Sequence, residues 1–351
     1  MTSGKQKKTR RKSKKFRNSR KKRILNTVLL LLLLAVLGGT GVGAIYFLKN
    51  GNAFTKLDEP YTASREFSGM VSESDSLKTD GFAKNLCVVV SDVPMDGISL
   101  GENQKGLLLD LNDKRVLYSK QALQRVYPAS ITKIMTAMLA VKYGNMDDVV
   151  TITQEDLNLE SGAQVCGFWE GDQLTMDQLL HCLLVYSGND AAAAIAVHIG
   201  GSIDGFVDMM NSYAQELGCT GTHFTNPHGL QDENHYTTPY DIYLMLKEAL
   251  NYPEFTQITQ MGSYTAEYTH ADGSAASVTL TATDHYLTGE ATPPKNVTVL
   301  GGKTGTTDLA GNCLALLSQN AYGKPYISIV MGASSKDELY QQMSSLLQNI
   351  N

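Results

Sequence analysis

Between Ser202 and Leu217 the apolar residues Ile203, Phe206, Val207, Met210, Tyr213, Ala214 and Leu217 recur at the period of a helix with one buried face, and Gly218 ends the run. A second helix is expected from Met176 to about Tyr186, because Thr175 and Gln178 stand in capping-box spacing. A third runs from Asp190 to Gly200-Gly201, and a fourth follows Thr238 with Pro239 in its first turn. Strand patterns lie on either side of this helical stretch. Residues 86–90, 106–111 and 115–119 read as strands, the last two flanking Asn112-Asp113 as a hairpin. Residues 297–304, 313–318 and 326–330 read as three more, and Leu339, Tyr340, Met343, Leu346, Leu347 and Ile350 then share one helical face. Strands at both ends with helices between them predict an α+β domain over 85–351, its sheet assembled from both ends of the domain.

The first 84 residues follow another pattern. Residues 24–48 are uncharged and mostly apolar, and 25 residues of helix at 1.5 Å each span about 37 Å, more than a hydrocarbon core of about 30 Å. Residues 1–23 carry 13 of the chain's 30 Lys and Arg and no acidic residue. Basic residues stay on the cytoplasmic side, so the expectation is a single-pass anchor in the cell membrane with a cytoplasmic N-terminus and the rest of the chain outside. The alternative is a cleaved signal ending near Val42-Gly43-Ala44, which would leave a secreted protein. Residues 49–84, rich in Ser, Gly and charged residues without an apolar period, read as a flexible stalk.

Net charge is −5, but the basic tail hides the sign of the remainder, in which 17 basic residues stand against 35 acidic ones. A body that acidic does not bind nucleic acid through its phosphates. Cys87, Cys166, Cys182, Cys219 and Cys313 are scattered and odd in number, which fits small buried apolar residues rather than a disulfide framework or a zinc site.

Candidate chemistry begins at Pro128-Ala129-Ser130-Ile131-Thr132-Lys133, where an apolar helix starts. Ser130 and Lys133 are one turn apart on one face. A serine hydroxyl becomes a nucleophile when a neighbour takes its proton, and a lysine does so once burial or another cation lowers its pKa. The backbone N–H of Ser130 at the helix start also suits an oxyanion. The spacing alone is cheap, since Ser19 and Lys22 repeat it in the basic tail. Ser187-Gly188-Asn189 lies between two predicted helices, where Asn189 or Asp190 would serve equally as a cap. Gly301-Gly302-Lys303-Thr304-Gly305-Thr306 follows a strand run and offers a backbone a substrate can lie against, with a cation and hydroxyls beside it. It is not a phosphate loop, because Val297 stands where that pattern requires glycine. His223, His228 and His235, spaced five and seven apart, match no compact metal-ligand pattern, so no metal or other cofactor is expected.

Ser-x-x-Lys, Ser-x-Asn and Lys-Thr-Gly occur in that order at Ser130, Ser187 and Lys303, and here the chain resembles the penicillin-binding serine acyltransferases. It is most similar to the low-molecular-mass D-alanyl-D-alanine carboxypeptidases, through Pro-Ala-Ser-Ile-Thr-Lys-Ile-Met-Thr-Ala from Pro128, Tyr-Ser-Gly-Asn-Asp-Ala-Ala from Tyr186 and Thr-Asn-Pro-His-Gly-Leu from Thr225. The resemblance implies a β-lactamase/transpeptidase-like fold with a helical subdomain, peptidoglycan stem peptide as substrate and β-lactams as inhibitors. Position by position, Ser130 is the expected nucleophile, Lys133 its proton acceptor and Ser187 the relay to the leaving D-alanine. Asn189 is expected to hold the substrate amide, Lys303 with Thr304 or Thr306 its carboxylate, and the N–H groups of Ser130 and Thr306 the oxyanion, with Gly305 between them. His228 is typical of the group but has no assignable chemical role.

The best-known members carry a β-rich domain and an amphipathic anchor after the catalytic domain, whereas 46 residues follow Gly305 here, enough for closing strands and a helix packed on the sheet. Two competing readings are a class A β-lactamase and a β-lactam receptor. The first needs a Glu-x-x-Leu-Asn segment between the second and third motifs, and Glu248-Ala249-Leu250-Asn251 is one residue short of it. The second would have only residues 1–23 with which to signal inward.

Overall fold

The computed structural model describes residues 85–350; the tail 1–23, anchor 24–48 and stalk 49–84 expected from sequence lie outside the described residues. An antiparallel pair, β1 (Lys105–Asp110) and β2 (Arg115–Lys120), leads through a 3-10 turn at Ala129–Thr132 into helix α1 (Lys133–Tyr143). Two short strands, β3 (Val149–Thr151) and β4 (Gln173–Thr175), precede a helical layer of α2 (Met176–His181), α3 (Asn189–Gly200), α4 (Ile203–Glu216), α5 (Pro239–Ala249) and α6 (Pro253–Ile258). The hairpin β5 (Ser263–Thr269) and β6 (Ala275–Thr281) and the single turn α7 (His285–Thr288) come next. Strands β7 (Val297–Thr307), β8 (Gly311–Asn320) and β9 (Pro325–Ala333) and helix α8 (Lys336–Leu347) complete the fold, which is α+β.

The main sheet has the order β2-β1-β9-β8-β7, antiparallel throughout, so the first and last strand groups of the described residues form one sheet. Side-chain alternation divides its residues between two cores. Leu107, Leu109, Cys313, Ala315, Ile327 and Ile329 face the helical layer, while Leu108, Leu314, Leu316 and Val330 face α8. The apolar face of α8, with Leu339, Met343, Leu346 and Leu347, packs on that second side. Helix α1 is buried from Lys133 to Ala140 and forms the axis of the helical layer. Several helices begin where expected, each on a capping side chain. Both arms of the Thr175–Gln178 box are present, Ser202 accepts from the Gly205 N–H at 3.0 Å, and Thr238 accepts from the Asp241 N–H at 3.0 Å with Pro239 next in line.

Three expectations need correction. Residues 86–90 form no strand; Cys87 and Val89 are buried and Val88 and Val90 exposed, as in a strand, but the Cys87 N–H donates to Tyr243 Oη, and the nearest pairing is an isolated bridge between Val93 and Ser119. The helix expected to reach Tyr186 keeps α geometry only to His181 and closes in a π turn, Cys182–Tyr186. A second sheet, ordered β3-β4-β5-β6, was not expected. Its hairpin alternates as strands do, but its exposed positions are Ser, Thr, Glu and Ala with little apolar contrast.

Candidate active site

The turn Ala129–Thr132 presents Ser130 at the mouth of α1, and Lys133, the first residue of α1, follows one turn later with its side chain fully buried. Lys133 Nζ lies 3.0 Å from Ser130 Oγ, 2.6 Å from Asn189 Oδ1 and 2.8 Å from the His228 carbonyl oxygen. Burial, and then the neighbouring Lys303 ammonium, hold the Lys133 amine well below its usual pKa, against a smaller opposing pull from Asp190. A neutral amine has two N–H groups and one lone pair. Asn189 Oδ1 and the His228 carbonyl can only accept, so in the neutral form they would take the two N–H groups and leave the lone pair for the Ser130 hydroxyl, to which the charged form donates instead.

The π turn delivers the second motif. The Ser187 N–H closes it on the Cys182 carbonyl, and Ser187 itself adopts a left-handed backbone with φ of 70°. A non-glycine residue held there stores on the order of 1–3 kcal/mol and needs surrounding contacts to keep it in place. One contact is Lys303 Nζ, which donates to Ser187 Oγ at 2.9 Å and to the Thr304 carbonyl at 3.0 Å. The expectation that Asn189 or Asp190 caps α3 is not met, because Gly188 is the cap residue and no side chain caps it. Asn189 turns to Lys133 instead. The buried Asp190 carboxylate accepts from the N–H groups of Cys166 and Gly167 at 3.0 Å each. With the Asn189 N–H donating to the Gln164 carbonyl at 2.8 Å, these bonds fasten the 160–167 loop to the second motif.

Strand β7 carries the third motif along the edge of the main sheet. A Cβ at Gly305 would stand 2.9 Å from the Ser130 nitrogen and 3.0 Å from the Pro128 oxygen, so only glycine lets this strand pass so close to the nucleophile turn. Thr304 Oγ1 is 2.5 Å from Thr283 Oγ1, and Thr306 Oγ1 donates to Asn312 Oδ1 at 3.2 Å. Burial pushes the Lys303 ammonium down to about 7, against an upward pull from Asp284. A cleft of about 820 Å³ is lined by Ser130, Ser187, Asn189, Thr304, Gly305 and Thr306, with Gln164 and Glu160 on its rim. Lys133 and Lys303 sit behind that lining, so all eight residues singled out in the sequence converge on one site.

The three histidines diverge. His235 Nε2 bonds Thr132 Oγ1, His223 Nδ1 bonds the Asn234 carbonyl, and His228 Nδ1 accepts from the Leu230 N–H. Among the described residues, no group of three His, Cys, Asp or Glu could hold a metal ion. All five cysteines are buried and unpaired. Sequence reasoning missed Thr283 and Asp284, which reach the third motif from the segment after β6, and the backbone carbonyl of His228; neither a side-chain type nor a spacing signals them.

Residues 101–335 match the peptidase S11 family of D-alanyl-D-alanine carboxypeptidases. The chain is 34% identical over 254 residues to the D-alanyl-D-alanine carboxypeptidase DacF of Bacillus subtilis, a match spanning 70% of this chain and 61% of that protein. Among solved structures, the DD-transpeptidase of Streptomyces K15 superposes with a TM-score of 0.64 at 28% identity, over 69% of this chain and 94% of that one. A D-alanyl-D-alanine carboxypeptidase of Mycobacterium tuberculosis superposes with a TM-score of 0.63 at 28% identity, over 74% and 93%. The three motifs that meet in the cleft all fall inside the matched span, and the chain belongs to the D-alanyl-D-alanine carboxypeptidase family, peptidase S11.

Proposed function

We propose that this chain is a serine D-Ala-D-Ala carboxypeptidase that removes the terminal D-alanine from peptidoglycan stem pentapeptides and is acylated at Ser130 by β-lactams. The observation that carries the proposal is the Lys133 amine, sealed from water, 3.0 Å from Ser130 Oγ and with its other two contacts on pure acceptors. Ser130 Oγ attacks the carbonyl carbon of the penultimate D-alanine as its proton passes to Lys133. The N–H groups of Ser130 and Thr306 receive the developing oxyanion. Asn189 spends its oxygen on Lys133 and keeps its NH₂ as a donor to the substrate peptide. Lys303, with Thr304 or Thr306, takes the terminal carboxylate, whose charge favours the protonated ammonium. Ser187, bonded to Lys303, relays the proton taken up by Lys133 to the departing amine as the C–N bond breaks, which leaves Lys133 neutral again. Water then attacks the ester, giving one proton to Lys133, which passes it to Ser130 Oγ as the acyl–oxygen bond breaks and the peptide shortened by one D-alanine leaves.

The N-terminal 48 residues complete the proposal as a cell-membrane anchor, with the cytoplasmic tail inside and the catalytic domain outside facing the wall. The full chain should release D-alanine from a pentapeptide ending in D-Ala-D-Ala and be labelled slowly reversibly by penicillin, with Ser130→Ala doing neither. Labelling without D-alanine release would favour a receptor, and rapid turnover of penicillin would favour a β-lactamase.

A further inference from the structure

Ala129, immediately before the nucleophile, is 1% exposed and has a left-handed backbone with φ of 48°. No glycine occupies this strained position, so neighbouring contacts must hold it. One is a chain of hydrogen bonds that starts outside the cleft. The Thr225 N–H donates to His235 Nδ1 at 3.1 Å, which leaves the ring proton on Nε2. His235 Nε2 lies 2.8 Å from Thr132 Oγ1, and the Thr132 hydroxyl donates to the Ala129 carbonyl at 2.8 Å. Because that hydroxyl proton is committed to Ala129, Thr132 accepts from His235. All the directions agree, and His235 is 2% and Thr132 1% exposed. Burial holds the His235 imidazole down at about 4, so it is neutral in this arrangement. Gly229 closes the pocket from beneath: its φ is 88°, and a Cβ there would meet the Ala129 oxygen at 1.9 Å and Thr132 Oγ1 at 2.9 Å.

A trans peptide unit is planar, with its C=O and N–H pointing in opposite directions. The carbonyl of Ala129 and the N–H of Ser130 belong to the same unit. A bond that fixes the first therefore aims the second. We propose that His235 and Thr132 are positioning residues that orient the Ser130 N–H as an oxyanion donor, acting through the Ala129 carbonyl without touching substrate. This rests on the reading of Ser130 as the acylated nucleophile.

The test is stopped-flow acylation of the full chain by a fluorescent penicillin, with saturation separating the binding constant from the acylation rate constant and the labelled fraction measured alongside. Losing one oxyanion donor outright costs about 100- to 1,000-fold, and misaiming one costs less, so Thr132→Val should lower the acylation rate constant by about 10- to 100-fold at unchanged binding. Thr132→Ser, which keeps the hydroxyl, should stay within about threefold of the parent. His235→Gln should lower the rate constant by less than Thr132→Val, and the double variant should be no slower than Thr132→Val alone, because the histidine acts only through the threonine. A merely structural role would lower the melting temperature and the labelled fraction and leave the rate constant of the folded molecules unchanged. That result, or equal losses in Thr132→Ser and Thr132→Val, overturns the inference. Absence of labelling in the unmutated chain overturns the underlying assignment of Ser130 instead.

Discussion

Replacing Asn189 by aspartate changes one atom type at the centre of the site and tests whether Lys133 must be neutral. Asn189 Oδ1 is 2.6 Å from Lys133 Nζ. A full negative charge at that distance stabilises the ammonium by about 6 kcal/mol at an effective dielectric constant of 20, equal to between four and five pKa units. Burying a new carboxylate beside Asp190 opposes this. If half of the interaction survives, the base titrates at least about two pH units higher than in the parent. The acid limb of the pH–rate profile of Asn189→Asp with penicillin should then move up by about two units, so that acylation is about 100-fold slower at any pH below the parent's limb and the rate returns at high pH. The same pair should leave thermal stability near or above that of the parent. A profile lowered uniformly at every pH, with its acid limb in place, would refute the reasoning and assign Asn189 to substrate contact alone.

Asp284 raises the pKa of Lys303, which stands at about 7, so Asp284→Asn should lower it further. The expected result is a larger KM for a carboxylate-ended peptide at pH 7 and an alkaline limb moved to lower pH; an unchanged limb would detach Lys303 from carboxylate binding. His228 and His235 are held by burial at about 3 and about 4, below the unfolded value of 6.5. Above pH 6.5 both states are neutral and these groups do not alter stability. Between pH 6.5 and 4 the unfolded chain binds protons that the fold refuses, so stability should fall with pH, by about 3 kcal/mol for His235 alone. Urea unfolding at pH 7, 5.5 and 4.5 measures this, and a flat series would show that the imidazoles are not kept neutral.

The motifs were legible because their chemistry is carried by side-chain type at short spacing, and their order along the chain separated them from the decoy at Ser19 and Lys22. The helices with capping side chains were equally legible, since Thr175, Ser202 and Thr238 each satisfy a backbone N–H within three residues. The hairpin of β5 and β6 was not, although His270-Ala271-Asp272-Gly273-Ser274 supplies its turn, because strands exposed on one face and thinly buried on the other lack the apolar contrast that marks a sheet. Residues 86–90 failed in the opposite way. They alternate as a strand does, but tertiary contact with Tyr243 takes the backbone bond that a neighbouring strand would have made.

The least legible part of the site is the placement of charge. Both Lys133 and Lys303 are fully buried, and two ammonium groups cannot remain charged side by side out of water without a counterion. The fold distinguishes them by what faces each. Lys303 has the pull of Asp284, to which a substrate carboxylate would add under the proposed function. Lys133 meets a serine hydroxyl, an amide oxygen and a backbone carbonyl, and burial and the charge of Lys303 outweigh the smaller pull of Asp190 toward its protonation. Under the proposed function, a peptide that arrives with its carboxylate would protonate Lys303, and that charge would in turn hold Lys133 toward its neutral form. The coupling runs between residues 170 positions apart in sequence, from α1 to β7, which is why composition and spacing name the two lysines but only the fold shows what each one faces.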